Sequence, residues 1–240
     1  MASLILVRHG QSIWNLQNRF TGWVDVDLSE LGILEAQKSG ELIKSLELDL
    51  NLYFTSYLKR AIKTLEIILK ILKKNNSNII KAWELNERHY GGLTGLNKDD
   101  VKKKLGEEQV KKFRRSWDVP PPPMKDNDEN NMKNDSIYNK MDLDKIPVTE
   151  SLKDTYNRVI PYFEKEIKHH IQKNKNVLIS AHGNSLRVLC KNILKISNEK
   201  IVELEIPTGN PLIINFSKNL EVVGYEYLDK ERAVNIIFNK

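Results

Sequence analysis

The sequence predicts an α/β protein of three layers: a mostly parallel central sheet flanked by helices, with a C-terminal antiparallel hairpin. Three observations lead there. Short runs rich in leucine and β-branched residues alternate with segments whose apolar residues recur at helical spacing. Two of these runs end in a His-Gly pair, at His9 and at His182. The last two runs are separated only by Ser217-Lys218-Asn219, a polar turn between strands.

Taken in order, Leu4-Ile5-Leu6-Val7 reads as a buried strand stopped by Arg8-His9-Gly10. Ser29 is the N-cap expected for a helix over 29–46, and 51–54 gives a second strand. Leu58, Ala61, Ile62, Leu65, Ile68, Leu69 and Leu72 share one face of a helix whose N-cap candidate is Ser56. A third strand is expected over 78–83. The stretch 85–97 follows neither the helical nor the strand period, which reads as a loop kept for function. After a helical region and the run Pro120-Pro121-Pro122-Pro123 comes a segment rich in Asn, Asp and Lys, expected to be a mobile excursion at 125–144. Leu152, Tyr156, Val159, Phe163 and Ile167 mark a long helix over 150–172, with a kink at Pro161. Val177-Leu178-Ile179-Ser180-Ala181 is another buried strand, delivering His182-Gly183-Asn184 into a helix, and 212–216 with 220–227 forms the hairpin.

The 240 residues are 40% hydrophobic, enough for one sizeable core, and no composition shift marks a boundary, so 1–240 is expected to be a single domain. No apolar run approaches the roughly 20 residues that span a bilayer, and Met1-Ala2-Ser3 leads straight into a strand, so a cytoplasmic chain with no membrane association is expected. The single Cys190 lies among apolar helical residues and reads as a buried thiol. A net charge of +6 suits an anionic partner: nucleic acid, an acidic membrane surface or a phosphorylated small molecule. Charge alone does not choose, but no basic and aromatic residues interleave as nucleic-acid binding requires.

Ligands of open α/β sheets bind beyond the carboxyl ends of the strands, so His9 and His182 are both aimed where a site belongs. Arg8 precedes the first, Arg60 lies in the first turn of a helix, and Arg114-Arg115 follow another. The planar guanidinium donates paired, charge-assisted hydrogen bonds and suits phosphate. A structural histidine would account for either imidazole taken alone, and a surface ion pair for an arginine, though less well for Arg8, held between a buried strand and a glycine turn.

The blocks Arg8-His9-Gly10-Gln11-Ser12, Trp14-Asn15 and Asn18-Arg19-Phe20-Thr21-Gly22-Trp23, with Leu58-Lys59-Arg60-Ala61, resemble the cofactor-dependent phosphoglycerate mutases of the histidine phosphatase superfamily. The likeness continues through Leu85-Asn86-Glu87-Arg88-His89-Tyr90-Gly91, Leu93-Thr94-Gly95-Leu96-Asn97-Lys98, Arg114-Arg115-Ser116-Trp117, Glu150-Ser151-Leu152 and His182-Gly183-Asn184. The Arg-His-Gly piece marks the superfamily, whereas the 87–98 and Arg-Arg-x-Trp blocks mark the mutase branch. The resemblance implies that His9 is the nucleophile that becomes phosphohistidine, that Glu87 is the general acid/base, and that Arg8, Arg60 and His182 surround the phosphoryl group in flight. Ser12, Asn15, Thr21 and Gly22 are implied to bind substrate, with Tyr90, Lys98, Arg114, Arg115, Gly183 and Asn184 at its second anionic end. It also implies 2,3-bisphosphoglycerate as the primer, no metal, and a homodimer or homotetramer. His89, His169 and His170 have no carboxylate or cysteine partners at ligand spacing.

The chain departs from the family pattern at Gln11, where Glu is usual, over 125–144, and over 232–240, which lacks the Ala- and Lys-rich tail of many relatives. Ser12 and Thr21-Gly22 favour the glycolytic mutase over the sister bisphosphoglycerate mutases. The rivals are a broad histidine phosphatase that releases phosphate to water and, outside enzymology, a phospho-ligand binding module.

Overall fold

The computed structural model describes residues 1–74, 78–139 and 141–233. Six strands, β1 (Ala2–Arg8), β2 (Leu50–Thr55), β3 (Ile79–Lys81), β4 (Asn176–Ala181), β5 (Leu212–Phe216) and β6 (Val222–Tyr227), form one sheet in the order β3-β2-β4-β1-β5-β6. The first four positions in that order are parallel, and β5 and β6 are antiparallel additions at one edge.

Strand alternation explains the layers. On β1, Leu4 and Leu6 face one side with Val177 and Ile179 of β4, and there they meet α6 (Leu152–Tyr162) and α8 (Gly183–Ile193) through Leu152, Val159, Leu186 and Leu189. Ile5, Val7 and Leu178 face the other side, against Ile43 of α2 (Glu30–Lys44) and Leu65, Ile68 and Leu69 of α3 (Lys59–Ile71). One strand thus buries both of its faces, which is why β1 and β4 read as continuous apolar runs. Fully burying each such side chain stabilises by about 1.5–3 kcal/mol.

The element boundaries differ from expectation in ways that have causes. Ser29 does cap α2, its side chain accepting from the Gly32 N–H. Ser56 does not cap α3: Leu58 holds the N-cap position, and the Ser56 hydroxyl, accepting from the Leu58 N–H at 3.1 Å, is turned toward the sheet edge. The long helix expected over 150–172 starts with a capping box between Ser151 and Asp154, then breaks into α6, a π-helical turn over Phe163–Ile167 and α7 (Lys168–Gln172). Pro161 lacks an N–H and crowds the preceding turn, and the ladder changes register two residues beyond it. The third strand is shortened to Ile79–Lys81.

The segment 125–144 places Met132 and Tyr138 in a buried cluster with Trp23, Leu58 and Ile146. The Tyr138 hydroxyl donates to the Trp23 carbonyl at 3.0 Å. The tail beyond residue 233 lies outside the described residues. Among the described residues no helix is long and apolar enough to cross a membrane.

Two glycines let the loop after β1 touch the start of α2. A Cβ on Gly10 would lie 2.1 Å from the Gly32 carbonyl oxygen, and one on Gly32 would lie 2.1 Å from the Gln11 carbonyl oxygen. Neither backbone has a flexible side chain to move aside. Gly32→Ala is therefore expected to destabilise the fold by about 3 kcal/mol, at the upper end of overpacking costs, read as a lowered urea midpoint.

Candidate active site

Because β1 and β4 are neighbours and parallel, with Arg8 opposite Ala181, the residues that follow them emerge side by side. The His9 N–H donates to the Ala181 carbonyl at 2.9 Å, and the two imidazole centroids are 5.0 Å apart at 60°. His9 is 3% exposed and His182 is fully buried.

The hydrogen bonds fix which atoms the rings present. His9 Nδ1 is 2.6 Å from the Gly10 carbonyl oxygen, which can only accept, so Nδ1 carries the proton and Nε2 keeps its lone pair. His182 Nε2 is 2.7 Å from the Ser56 hydroxyl. That hydroxyl already accepts the Leu58 N–H, and giving its own proton to Nε2 satisfies it; a proton on Nε2 would instead strand the buried Ser56 O–H at about 1–3 kcal/mol. The Ser56 contact is best satisfied with the His182 proton on Nδ1, an atom that faces the Ser185 end of the next helix turn without a hydrogen bond of good geometry among the described residues. The two rings share a tautomer and offer opposite functions, a lone pair from His9 and a proton from His182.

Burial, with the neighbouring charges of Arg60 and Arg8, holds the His9 pKa well below its ordinary 6.5. Burial, then Arg60, depresses that of His182 in the same way. Both rings are neutral at pH 7.

Arg8 anchors through Nη1 to the Ile206 carbonyl at 2.8 Å and leaves Nε unpartnered. Arg60, 1% exposed, donates to the carbonyls of Gly22 and Val24 and likewise leaves Nε unpartnered; desolvation lowers its pKa to about 10. Glu87 Oε1 accepts the N–H groups of Arg88 at 2.7 Å and Asn184 at 3.1 Å. A Cβ on Gly183 would lie 3.5 Å from Arg8 Nε and 3.7 Å from Glu87 Oε2, so this glycine lies close to both.

Two cavities meet at Arg8 and Glu87, and His182 lies in the wall of neither. One, about 90 Å³, includes His9, Asn15, Thr21, Gly22, Arg60 and Lys98 in its wall. The other, about 120 Å³, includes Arg115, Gly183, Asn184 and Arg187, and Arg8, Glu87, Tyr90 and Arg114 line both. A larger open depression of about 580 Å³ between α2 and α3 holds none of these groups, and its Lys63 and Asp27 already pair with each other. Ser12 lies outside both smaller cavities, fully buried, where it caps α1 (Ile13–Leu16) in a reciprocal bond with Asn15. Arg115 is ion-paired with Glu205.

Several residues that sequence reading passed over shape the site. Arg158 of α6 holds Glu150 through Nε and Nη2 at 2.6 and 2.9 Å, and donates to the carbonyls of Glu84, Asn86 and Glu87. One guanidinium thereby gathers the loop that carries Glu87. Arg88 and Arg187 are buried with unpartnered nitrogens, and burial brings the Arg187 pKa down to about 9. Arg187 was findable, since it lies three residues after Asn184 on a helix and donates to its Oδ1 at 3.1 Å. Nothing local signals Arg158. Among the described residues no three His, Cys, Asp or Glu side chains are gathered as metal ligands.

The family model of the histidine phosphatase superfamily (branch 1) matches residues 4–224, and the chain belongs to that superfamily. It is 51% identical to the 2,3-bisphosphoglycerate-dependent phosphoglycerate mutase of Pelagibacter ubique, over 99% of both chains. The Treponema denticola protein of the same name is 48% identical over 98% of this chain and 96% of its own. Among solved structures, a mycobacterial glucosyl-3-phosphoglycerate phosphatase superposes with a TM-score of 0.70 at 19% identity, covering 95% of this chain and 97% of that one. The Shigella flexneri alpha-ribazole phosphatase gives 0.66 at 20% identity, covering 92% and 95%. These last two share the fold.

The depressed imidazoles make stability pH-dependent. Both rings stay neutral when folded while the unfolded chain takes up protons near 6.5, so the contribution is complete above that pH and is lost as pH falls below it. The urea midpoint is expected to fall between pH 7 and pH 5, and His182→Asn is expected to flatten that slope.

Proposed function

We infer that the chain catalyses the interconversion of 3-phosphoglycerate and 2-phosphoglycerate, a 2,3-bisphosphoglycerate-dependent isomerase activity that proceeds through phosphorylated His9. The observation that carries this reading is the pair of neutral imidazoles 5.0 Å apart, with an unprotonated Nε2 on His9 beside guanidinium nitrogens that lack partners. Half-identity over full length to proteins named for that activity supports it.

The donor set suits a small polyanion. The orphaned nitrogens of Arg8, Arg60 and His182 would otherwise be buried charge and polarity without compensation, which is costly. When bound, 2,3-bisphosphoglycerate supplies the phosphoryl group that primes the enzyme. His9 Nε2 is the nucleophile, and a neutral imidazole forms an N–P bond labile enough to return its cargo. Arg8, Arg60 and the Nδ1 proton of His182 stabilise the charge on the phosphoryl oxygens, the task that metal ions perform in kinases. Glu87, with Oε1 held by two backbone N–H groups, moves a proton to and from the substrate hydroxyl through Oε2.

Asn15, Thr21 and Gly22 line the smaller cavity and hold substrate there, with Ser12 acting through the turn it caps. Tyr90, Lys98, Arg114, Arg115, Gly183 and Asn184 hold the second anionic end. Burial of His9 keeps water from the phosphohistidine. The reading extends to a metal-free, cytoplasmic homodimer or homotetramer.

Purified protein assayed with 3-phosphoglycerate is expected to form 2-phosphoglycerate, to be stimulated by 2,3-bisphosphoglycerate and to be indifferent to chelator. His9→Ala is expected to lose the acid-labile phosphoenzyme together with turnover. Release of inorganic phosphate without isomerisation would replace this reading with that of a phosphatase.

A further inference from the structure

Beyond the residues already given roles, a chain of short hydrogen bonds reaches His9 from the opposite side of the loop. Gln11 N–H donates to Glu35 Oε2 at 2.7 Å. The other end of that same peptide unit is the Gly10 carbonyl, which accepts His9 Nδ1–H at 2.6 Å. We infer that Glu35 of α2 is a positioning residue for the nucleophile, acting on His9 through the intervening Gly10–Gln11 peptide.

The carboxylate is placed for such a role. It is 8% exposed, and its Oε1 accepts the Thr208 hydroxyl at 2.7 Å and Arg232 Nη2 at 2.9 Å. Every partner is a donor, which suits the ionised, acceptor-only form. The peptide has little freedom to rotate. The preceding amide, Gly10 N–H, is held by Thr64 Oγ1 at 3.1 Å, and the Gly32 backbone leaves no room beside Gly10.

A negative charge at the N–H end of a peptide polarises it, and the carbonyl at the other end becomes a stronger acceptor. The benefit falls where the chemistry needs it. As the Nε2–P bond forms, the P–O bond to the donor breaks and its electron pair leaves with the oxygen. The ring, retaining its Nδ1 proton, gains positive charge, and the carbonyl facing that proton stabilises it. This is the service that a carboxylate gives the histidine of a Ser-His-Asp triad, here with a peptide interposed. The competing account is purely structural: Glu35 ties α2 to the turn at Thr208 and to Arg232, with no effect on the ring.

The inference rests on the proposed activity only for its kinetic arm. Histidine-selective ¹⁵N spectra of the full chain, with His9 assigned by His9→Asn, are expected to show Nδ1 protonated and Nε2 bare. Glu35→Gln keeps an acceptor for Gln11 N–H and removes the charge. It is expected to shift the His9 nitrogens and to slow phosphorylation of His9 by 2,3-bisphosphoglycerate about tenfold or more in rapid-quench experiments, with little change in KM. Glu35→Asp keeps the charge, is expected to lose less, and serves if the glutamine variant does not fold. Thr208→Val cuts the opposite bond and is expected to leave ring signals and rate as in the wild type.

An Nε2-protonated His9 in the wild type, unchanged ring signals and rate in Glu35→Gln, or an equal loss in Thr208→Val would each overturn the relay. Failure of 2,3-bisphosphoglycerate to phosphorylate the wild-type protein would instead count against the proposed activity, and the spectra would still decide the role of Glu35.

Discussion

The parallel pairing of β1 with β4 is the constraint on which the site depends. Two strands that run the same way and share a register must release their next residues at the same edge, and here those residues are His9 and His182. An antiparallel pairing would send them to opposite ends of the sheet. The apolar side chains that bury both faces of these strands therefore do more than hold the fold, because the geometry of the imidazole pair follows from the sheet they make.

Around that pair the protein accumulates cations that make no direct ion pair among the described residues, although Glu87 and Glu205 lie near enough to act on Arg60 and Arg187. Arg8, Arg60, Arg88 and Arg187 are anchored by main-chain carbonyls or by Asn184 and keep other nitrogens unpartnered. Holding guanidinium groups by neutral carbonyls fixes their direction without cancelling their charge. Arg158, by contrast, is matched with Glu150 and spends its remaining donors on the Glu87 loop. The same residue type thus serves two ends, distinguished by whether a carboxylate is hydrogen-bonded to it.

What the sequence disclosed follows from which interactions are local. The strand runs, the Ser29 cap and the terminal hairpin are set by neighbours in the chain and were legible, as were His9 and His182, since each ends an apolar run. The likeness of the 87–98 block drew attention to Glu87, but not to what shapes its loop, because Arg158 reaches it from a helix more than sixty residues away. Ser56 misled for the same reason: its position before a helical face suggested a cap, while its hydroxyl is committed to a ring brought in by another strand. Composition predicts a mobile excursion at 125–144 and says nothing of its contacts, among which Tyr138 is seated against Trp23.

The Nδ1 proton of His9 has one more implication. A ring loaded at Nε2 retains that proton, so its bond to the Gly10 carbonyl has no need to break when cargo arrives or departs. In the proposed role of His9 as phosphoryl carrier, the ring would cycle between empty and full without the loop behind it rearranging, and the main chain there is free to be as rigid as the two abutting glycines make it.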